Sequence, residues 1–230
     1  MISIVIPTYN ERENLEELFK RVDHAMRGLD YEIIIVDDDS PDGTWMKAKE
    51  LSRMYPVKVI RRVNERGLAS AVLRGFREAS GDIIVVMDAD LQHPPEVIPN
   101  LVRKAYEGYD LVVASRYIKG GGMEDWPIYR RLVSKGAIFL ARVILPEARR
   151  VRDCVSGFFL VKRSIVEGVK LSPTGFKLLL EILVKCKPKL ICEVPYTFRS
   201  RSRGKSKLEY MEYINYLRHL LRLAIWRLYS

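Results

Sequence analysis

Three places in the sequence set carboxylates or amides directly after a short apolar run, the position from which side chains at a strand end reach a ligand. They are Pro7-Thr8-Tyr9-Asn10-Glu11, Asp37-Asp38-Asp39-Ser40, and Asp88-Ala89-Asp90 with Gln92 close behind. Two carboxylates one residue apart suit a hard divalent cation that bridges a diphosphate, and Gln92 adds a neutral oxygen ligand. Magnesium or manganese is the typical occupant of such a set. A carboxylate at the second run's end can accept hydrogen bonds from a base or a ribose. Aspartates also serve turns, and Asp37, Asp38 and Asp39 before Pro41 fit that role when taken alone. Asp88 and Asp90 differ, because they follow the very apolar 83–87 and would repel each other without a cation.

The elements that must position these groups are visible as apolar runs at 2–6, 31–36, 57–63, 82–87 and 111–114, with helical stretches between them. Runs apolar on both faces and separated by helices predict an α/β fold with a mostly parallel sheet covered on each side. Asn10 before Glu11 and Glu13, and Ser40-Pro41-Asp42-Gly43 before 44–55, mark helix starts. Lys119-Gly120-Gly121-Gly122 reads as a flexible loop and a soft boundary. Beyond it, 128–145 and 208–228 are amphipathic: Leu132, Phe139, Leu140 and Val143 accompany Arg130, Arg131, Lys135 and Arg142 in the first, and Leu217, Leu221 and Ile225 accompany Arg218, Arg222 and Arg227 in the second. Packing on the chain's own domain explains the first as well as a lipid surface does. The second is terminal, basic and tipped by Trp226 and Tyr229, which favours a membrane interface.

A chain of 230 residues with 48% hydrophobic and 30% charged residues is a folded globular chain, long enough for a substantial core. Its formal charge of +10 draws anionic partners, and the excess gathers at Arg149, Arg150 and Arg152 and again over 199–207. Cys154, Cys186 and Cys192 lack the spacing of a zinc site or a disulfide framework and read as structural thiols in a reducing compartment. The N-terminus has no signal-peptide pattern, and no apolar run is long enough to span a bilayer. The expected location is therefore peripheral, at the cytoplasmic face of a membrane.

Taken in order, the motifs resemble the inverting family 2 glycosyltransferases of GT-A fold and, within them, the dolichyl-phosphate mannosyltransferases. Besides the three strand ends, the likeness rests on Pro41-Asp42-Gly43-Thr44, Gly67-Leu68-Ala69 with Gly75, Leu91-Gln92-His93-Pro94, Ser115-Arg116-Tyr117, and Arg201 followed by Gly204, Ser206 and Lys207. It covers essentially the whole chain. The resemblance implies a glycosyltransferase domain over 1–207, with a nucleotide-binding half to about 118 and an acceptor half over 119–207, followed by a C-terminal amphipathic helix over 208–230. It further implies that Pro7, Tyr9, Glu11, Val36 and Asp38 hold the guanosine of GDP-mannose, that Asp88, Ala89 and Asp90 line the diphosphate and sugar, and that Asp90 and Gln92 ligate Mg2+ or Mn2+. Lys177, Arg201 and Lys207 would grip the donor phosphates. Arg116, Arg130 and Ser134 would cradle the phosphate of dolichol or another polyprenol. Asp153, Ser156, Gly157 and Phe158 resemble an acceptor loop.

An acceptor phosphate is already ionised near neutral pH, so transfer to it needs no general base. Arg116 and Arg130 would orient the attacking oxygen, since a planar guanidinium suits phosphate well. In-line displacement from an α-linked donor inverts the anomeric centre. A UDP-glucose enzyme of the same fold is the nearest alternative. A basic nucleic-acid-binding domain and a non-catalytic peripheral membrane protein are the others. Nucleic acid is not the expected partner, because acidic strand ends would repel its backbone. The absence of a spanning run leaves room for a membrane-anchoring partner protein. His93, before Pro94-Pro95, reads as a loop residue and not as a ligand or base.

Overall fold

In a computed structural model that describes residues 1–172, 177–199 and 210–229, the side chains of 210–212 excepted, all five apolar runs are strands. They are β1 (Ile2–Thr8), β2 (Tyr31–Asp37), β3 (Val57–Arg61), β4 (Ile83–Val86) and β5 (Leu111–Ser115). The second half adds β6 (Gly122–Met123), β7 (Phe159–Lys162), β8 (Ile191–Pro195) and β9 (Thr197–Phe198). The helices are α1 (Leu15–Ala25), α2 (Thr44–Leu51), α3 (Leu68–Glu78), α4 (Ile98–Tyr106), α5 (Ile128–Ile144), α6 (Arg163–Val166), α7 (Leu178–Glu181) and α8 (Tyr210–Leu228). A π-helical turn, Ile182–Cys186, continues α7.

Among the described residues the main sheet runs β3-β2-β1-β4-β7-β5-β8, with β6 and β9 as a separate parallel pair. Neighbours pair in parallel except around β7, which lies antiparallel to both β4 and β5. Two strands from beyond the glycine loop thus complete the sheet begun before it. The loop is also tied down: Gly122 N donates to Tyr196 O at 3.1 Å, and a Cβ on Gly121 would stand 2.5 Å from Ser115 O.

The apolar runs are continuous because both faces of the sheet are covered. Ile2, Ile4 and Ile6 of β1 and Ile33 and Ile35 of β2 join one core with residues of α1 and α4. Val5 of β1 and Ile34 and Val36 of β2 join the opposite core with residues of α3, α5 and α7. Strand alternation makes this division automatic. A charge in the middle of such a strand would have to be desolvated, so polar groups are driven to the strand ends. Cys154 is fully buried while Cys186 and Cys192 are half-buried, and burial pushes the Cys154 thiol up to about 12.

Helix α5 behaves differently from α1, α3 and α4. Of its 17 residues, Ile138 and Ala141 are buried, whereas Leu132, Phe139 and Val143 stand in solvent. It packs on α8, where Tyr216 Oη donates to Ala137 O at 2.6 Å. Among the described residues, no helix is long and apolar enough to cross a membrane.

Helix α3 lies very close against β1. A Cβ on Gly75 would fall 2.3 Å from Val5 Cγ1, so the helix sits on the strand at a distance that only glycine permits. Gly75→Ala is expected to lower stability by about 1–3 kcal/mol through overpacking. Urea denaturation followed by circular dichroism measures this, and an unchanged midpoint would contradict the close seam.

Candidate active site

The C-terminal ends of β1, β2, β4 and β5 open into one cleft of about 650 Å³. Pro7, Tyr9, Glu11 and Asp38 line its nucleotide side. Asp88, Ala89, Asp90 and Gln92 line the middle, and Arg116, Arg130 and Lys177 line the far side. Eleven of the residues singled out in the sequence are therefore together. Val36 and Ser134 are not among the lining residues. Val36 is fully buried in the core beneath α3 because its position on β2 points it into the sheet's covered face. Its side chain is packing. Ser134 accepts a 2.8 Å hydrogen bond from Tyr117 Oη, and Tyr117 is itself outside the cleft lining, beside Arg116. Arg201, Gly204, Ser206 and Lys207 lie outside the described residues.

On the nucleotide side, turn chemistry and site chemistry divide among the three aspartates. Asp37 is structural: its Oδ2 accepts from Thr8 Oγ1 and Ser40 Oγ, and its Oδ1 accepts from Ser40 N. Asp39 has a positive φ of 53° and pairs with exposed Arg61. Asp38 lines the cleft, with Oδ1 accepting from Arg62 Nε at 2.7 Å and Oδ2 from Gly67 N at 2.8 Å. Arg62 is almost fully buried and also donates to Gly67 O and Ser70 Oγ, so it clamps the loop that carries Gly67 to the end of β2. Gly67 has φ 133°, a conformation costly for any residue with a Cβ. Arg66 on that loop stands over the Tyr9 ring, 4.9 Å from its centroid. Neither arginine announces itself by spacing, since a lone Arg after a strand is a common surface residue.

The acidic turn after β4 is built tightly. Leu91 takes φ 64°, a left-handed conformation that costs a bulky residue about 1–3 kcal/mol. Gln92 N donates to Asp90 Oδ1 at 3.1 Å, and Gln92 Nε2 donates to Arg199 O at 3.0 Å. His93 Nδ1 accepts from Asp88 N at 3.0 Å, and its ring stacks on Phe158 at 5.1 Å. Burial pushes the imidazole down to about 4, so His93 is neutral and acts as a prop beneath the turn. Gly157 lies close by, where a Cβ would make ordinary contact with Asp88 Oδ2 at 3.8 Å and with His93 Cε1 at 3.5 Å. Among the described residues no three histidine, cysteine or acidic side chains form a closed cage. Two carboxylates, an amide oxygen and open space fit Mg2+ or Mn2+, which keep waters and substrate phosphates as further ligands. Asp90 and Gln92 are the expected ligands, and Asp88 lines the cleft beside them.

The far wall is organised by a buried ion pair. Arg116 donates to Asp153 from its backbone N at 3.1 Å, from Nε at 2.8 Å and from Nη2 at 2.8 Å. Burial by itself would lower the guanidinium pKa, but the hydrogen bonds and field of Asp153 outweigh it and hold the group above its ordinary value. Asp153 is in turn fixed by its own N–H donating to Glu193 Oε1 at 3.1 Å. The Arg116 guanidinium carbon lies 5.5–5.7 Å from the ring centroids of Tyr117, Trp126 and Phe198. Trp126, Tyr196 and Phe198 also line the cleft, although none of them stands in one of the acidic strand-end motifs. Ser156 Oγ donates to Ala114 O and accepts from Phe158 N, which shapes the loop around Gly157. Lys177 Nζ donates to Val155 O at 3.0 Å, and burial together with the field of Arg116 lowers its pKa.

Because Asp153 compensates a charge that is itself buried, Asp153→Ala strands Arg116 without its partner. A loss of about 3–5 kcal/mol of stability is expected. Chemical denaturation reads it directly, and a variant as stable as the parent would show that the pair does not support the wall.

Comparison with known proteins places this geometry. The model of glycosyl transferase family 2 matches residues 3–169. A dolichol-phosphate mannosyltransferase of Pyrococcus furiosus is 61% identical over 225 residues, 98% of this chain and 64% of that protein. Those of Saccharomyces cerevisiae and Mycosarcoma maydis are 39% and 40% identical, over 98% of this chain and 87% and 79% of theirs. This chain thus spans somewhat less than two thirds of the Pyrococcus protein's length. Glucosyl-3-phosphoglycerate synthase from Mycobacterium tuberculosis, in complex with Mn2+, UDP and glucosyl-3-phosphoglycerate, is similar in fold, with a TM-score of 0.74 at 21% identity over 99% of this chain and 79% of that one. The chain, with its mostly parallel GT-A sheet and its cleft at the strand ends, belongs to glycosyl transferase family 2 and, within it, to the dolichol-phosphate mannosyltransferases.

Proposed function

We propose that this chain transfers mannose from GDP-mannose to dolichyl phosphate or another polyprenyl phosphate, with inversion, giving β-linked dolichyl phosphate mannose. The observation that carries the proposal is a single cleft in which a nucleotide-side carboxylate, an acidic turn and an arginine-rich wall follow one another. The names of the relatives supply the sugar and the acceptor. Residues 1–207 are proposed as the catalytic domain, with 208–230 appended to it. The exposed apolar residues of α5 and α8 favour a membrane surface as the place where a lipid acceptor is met.

In this reading Tyr9, Glu11 and Asp38 receive the nucleoside, and Lys177 lies against the donor's phosphates. When bound, Mg2+ or Mn2+ supplies charge stabilisation to the diphosphate; the structural neighbour named above holds Mn2+ with UDP. Arg130, which is exposed at the cleft's rim, orients the acceptor phosphate. Arg116 spends one N–H from each of Nε and Nη2 on Asp153, which leaves the hydrogens of Nη1 and the second of Nη2 for a substrate oxygen. An acceptor phosphate oxygen attacks the anomeric carbon as the bond from that carbon to the β-phosphate oxygen breaks, and the electron pair departs with GDP. A phosphate monoester has no proton to lose for this step at neutral pH. The leaving charge is met by cations, each worth roughly 4 kcal/mol at about 4 Å in an effective dielectric near 20.

Transfer of radiolabel from GDP-mannose to a short dolichyl phosphate in liposomes tests the proposal, with Mn2+ or Mg2+ and then with chelator. Chelator-sensitive label in the lipid phase is expected. Label from UDP-glucose instead would keep the fold and replace the donor, and silence with every donor would leave a binding protein. Asp90→Ala is expected to lower turnover on the order of 10²-fold or more, the scale of losing one preorganised electrostatic element. Near-normal turnover in that variant would remove Asp90 from the metal site.

A further inference from the structure

A second hollow, of about 700 Å³, lies beside α5 on the other side of Tyr117 from the cleft. Lys135, Arg142, Arg149 and Arg152 line it together with Phe139 and Val143, and among the described residues its lining contains no carboxylate. Arg149 is anchored there, its Nε donating to Arg142 O at 2.8 Å at the C-terminal turn of α5. Glu147, the acid on the neighbouring 3-10 turn, pairs with Arg227 of α8 at 2.8 Å. Four cations are thus gathered in one depression with apolar side chains between them, which complements an anion that carries hydrocarbon.

The surroundings indicate where that anion comes from. Ile128, Leu132, Phe139 and Val143 follow one another at steps of four, seven and four residues and so form one line along α5. They are 77%, 63%, 70% and 55% exposed, the reverse of a helix that turns its apolar stripe inward. Lys135 and Arg142, seven residues apart, border that line on the side of the hollow. An exposed apolar line with cations along one edge is the arrangement of a helix lying in a headgroup layer. A soluble phosphate would give the apolar line no role.

We infer that this hollow binds the phosphate headgroup of an anionic membrane lipid, separately from the catalytic cleft. The inference rests on the membrane-surface reading proposed above and adds a headgroup site to it. Tyr117 walls the hollow, and the adjoining residue Arg116 belongs to the cleft. A headgroup held here would therefore set the plane of the membrane beside the wall that receives the acceptor's phosphate.

Flotation of the full chain with vesicles tests it, comparing neutral vesicles with vesicles in which about a third of the lipid is anionic. The parent chain is expected to float preferentially with anionic vesicles. Arg149→Gln with Arg152→Gln is expected to weaken that binding about 25-fold, from roughly fivefold for each basic residue at a charged surface. Lys135→Gln with Arg142→Gln, two changes on the exposed face of α5, gives a second reading of the same size should the first pair lose its fold. Lys49→Gln with Arg53→Gln makes the same charge change beside β3, at the opposite edge of the sheet, and is expected to leave binding within about twofold. Equal flotation of the parent with neutral and anionic vesicles would overturn the headgroup site while keeping the membrane surface. Flotation with neither would overturn both. Equal losses in the hollow and control pairs would reduce the effect to net charge, and inorganic phosphate displacing the chain from no vesicle yet protecting it from heat would make the hollow a site for soluble anions.

Discussion

The inner strands β1, β4 and β5 are buried on both faces and hold no charge along their length, and the arrangement of the site follows from that exclusion. The residues of β1, β2 and β4 that face the two cores are apolar and almost fully shielded from water. Carboxylates therefore collect at one edge, where each requires neutralisation, and how each is neutralised defines its role. Asp37 is satisfied by hydroxyls and an amide and closes a turn. Asp38 is held by buried Arg62 and shapes the nucleotide side. Asp153 returns the favour from the other half of the chain by holding Arg116. Asp88 and Asp90 line the cleft and are proposed to meet a divalent ion brought with the donor.

Much of this is legible in the sequence, for a physical reason. Strands covered on both faces read as unbroken apolar runs, so β1 to β5 and the acidic residues that end them are found without any structure. β7 is missed because four residues, Phe159–Lys162, carry no period long enough to distinguish a strand from a buried loop. Its antiparallel insertion between β4 and β5 depends on tertiary pairing alone. The same limit applies at the site. Asp90, Gln92 and Arg116 stand in motifs, but Arg62, Arg66 and Tyr196 act through distance, and spacing along the chain does not encode distance. Val36 shows the converse, since its side chain adjoins Asp38 in sequence yet is buried in the core.

The two halves meet at Arg116. Its backbone follows directly on β5, its charge is fixed by Asp153 from the loop before β7, and its guanidinium lies among Trp126 and Phe198 from beyond the glycine loop. A wall assembled from so many separate segments holds its donors preset, and on the proposed function those donors meet the acceptor's phosphate. The exposed apolar residues of α5 then have a consistent meaning: the same helix carries Arg130 at the cleft's rim and an apolar line facing outward.

On the proposed function, the acidic turn after β4 binds the donor's diphosphate through a divalent ion. Calorimetric titration of GDP into the chain, with and without Mn2+, addresses it without relying on transfer or on lipid. Mn2+ is expected to tighten GDP binding by about tenfold or more, and by linkage GDP should tighten Mn2+ by the same factor. That mutual effect should vanish in Asp90→Ala. GDP binding of equal strength with and without Mn2+ in the unaltered chain would contradict the claim.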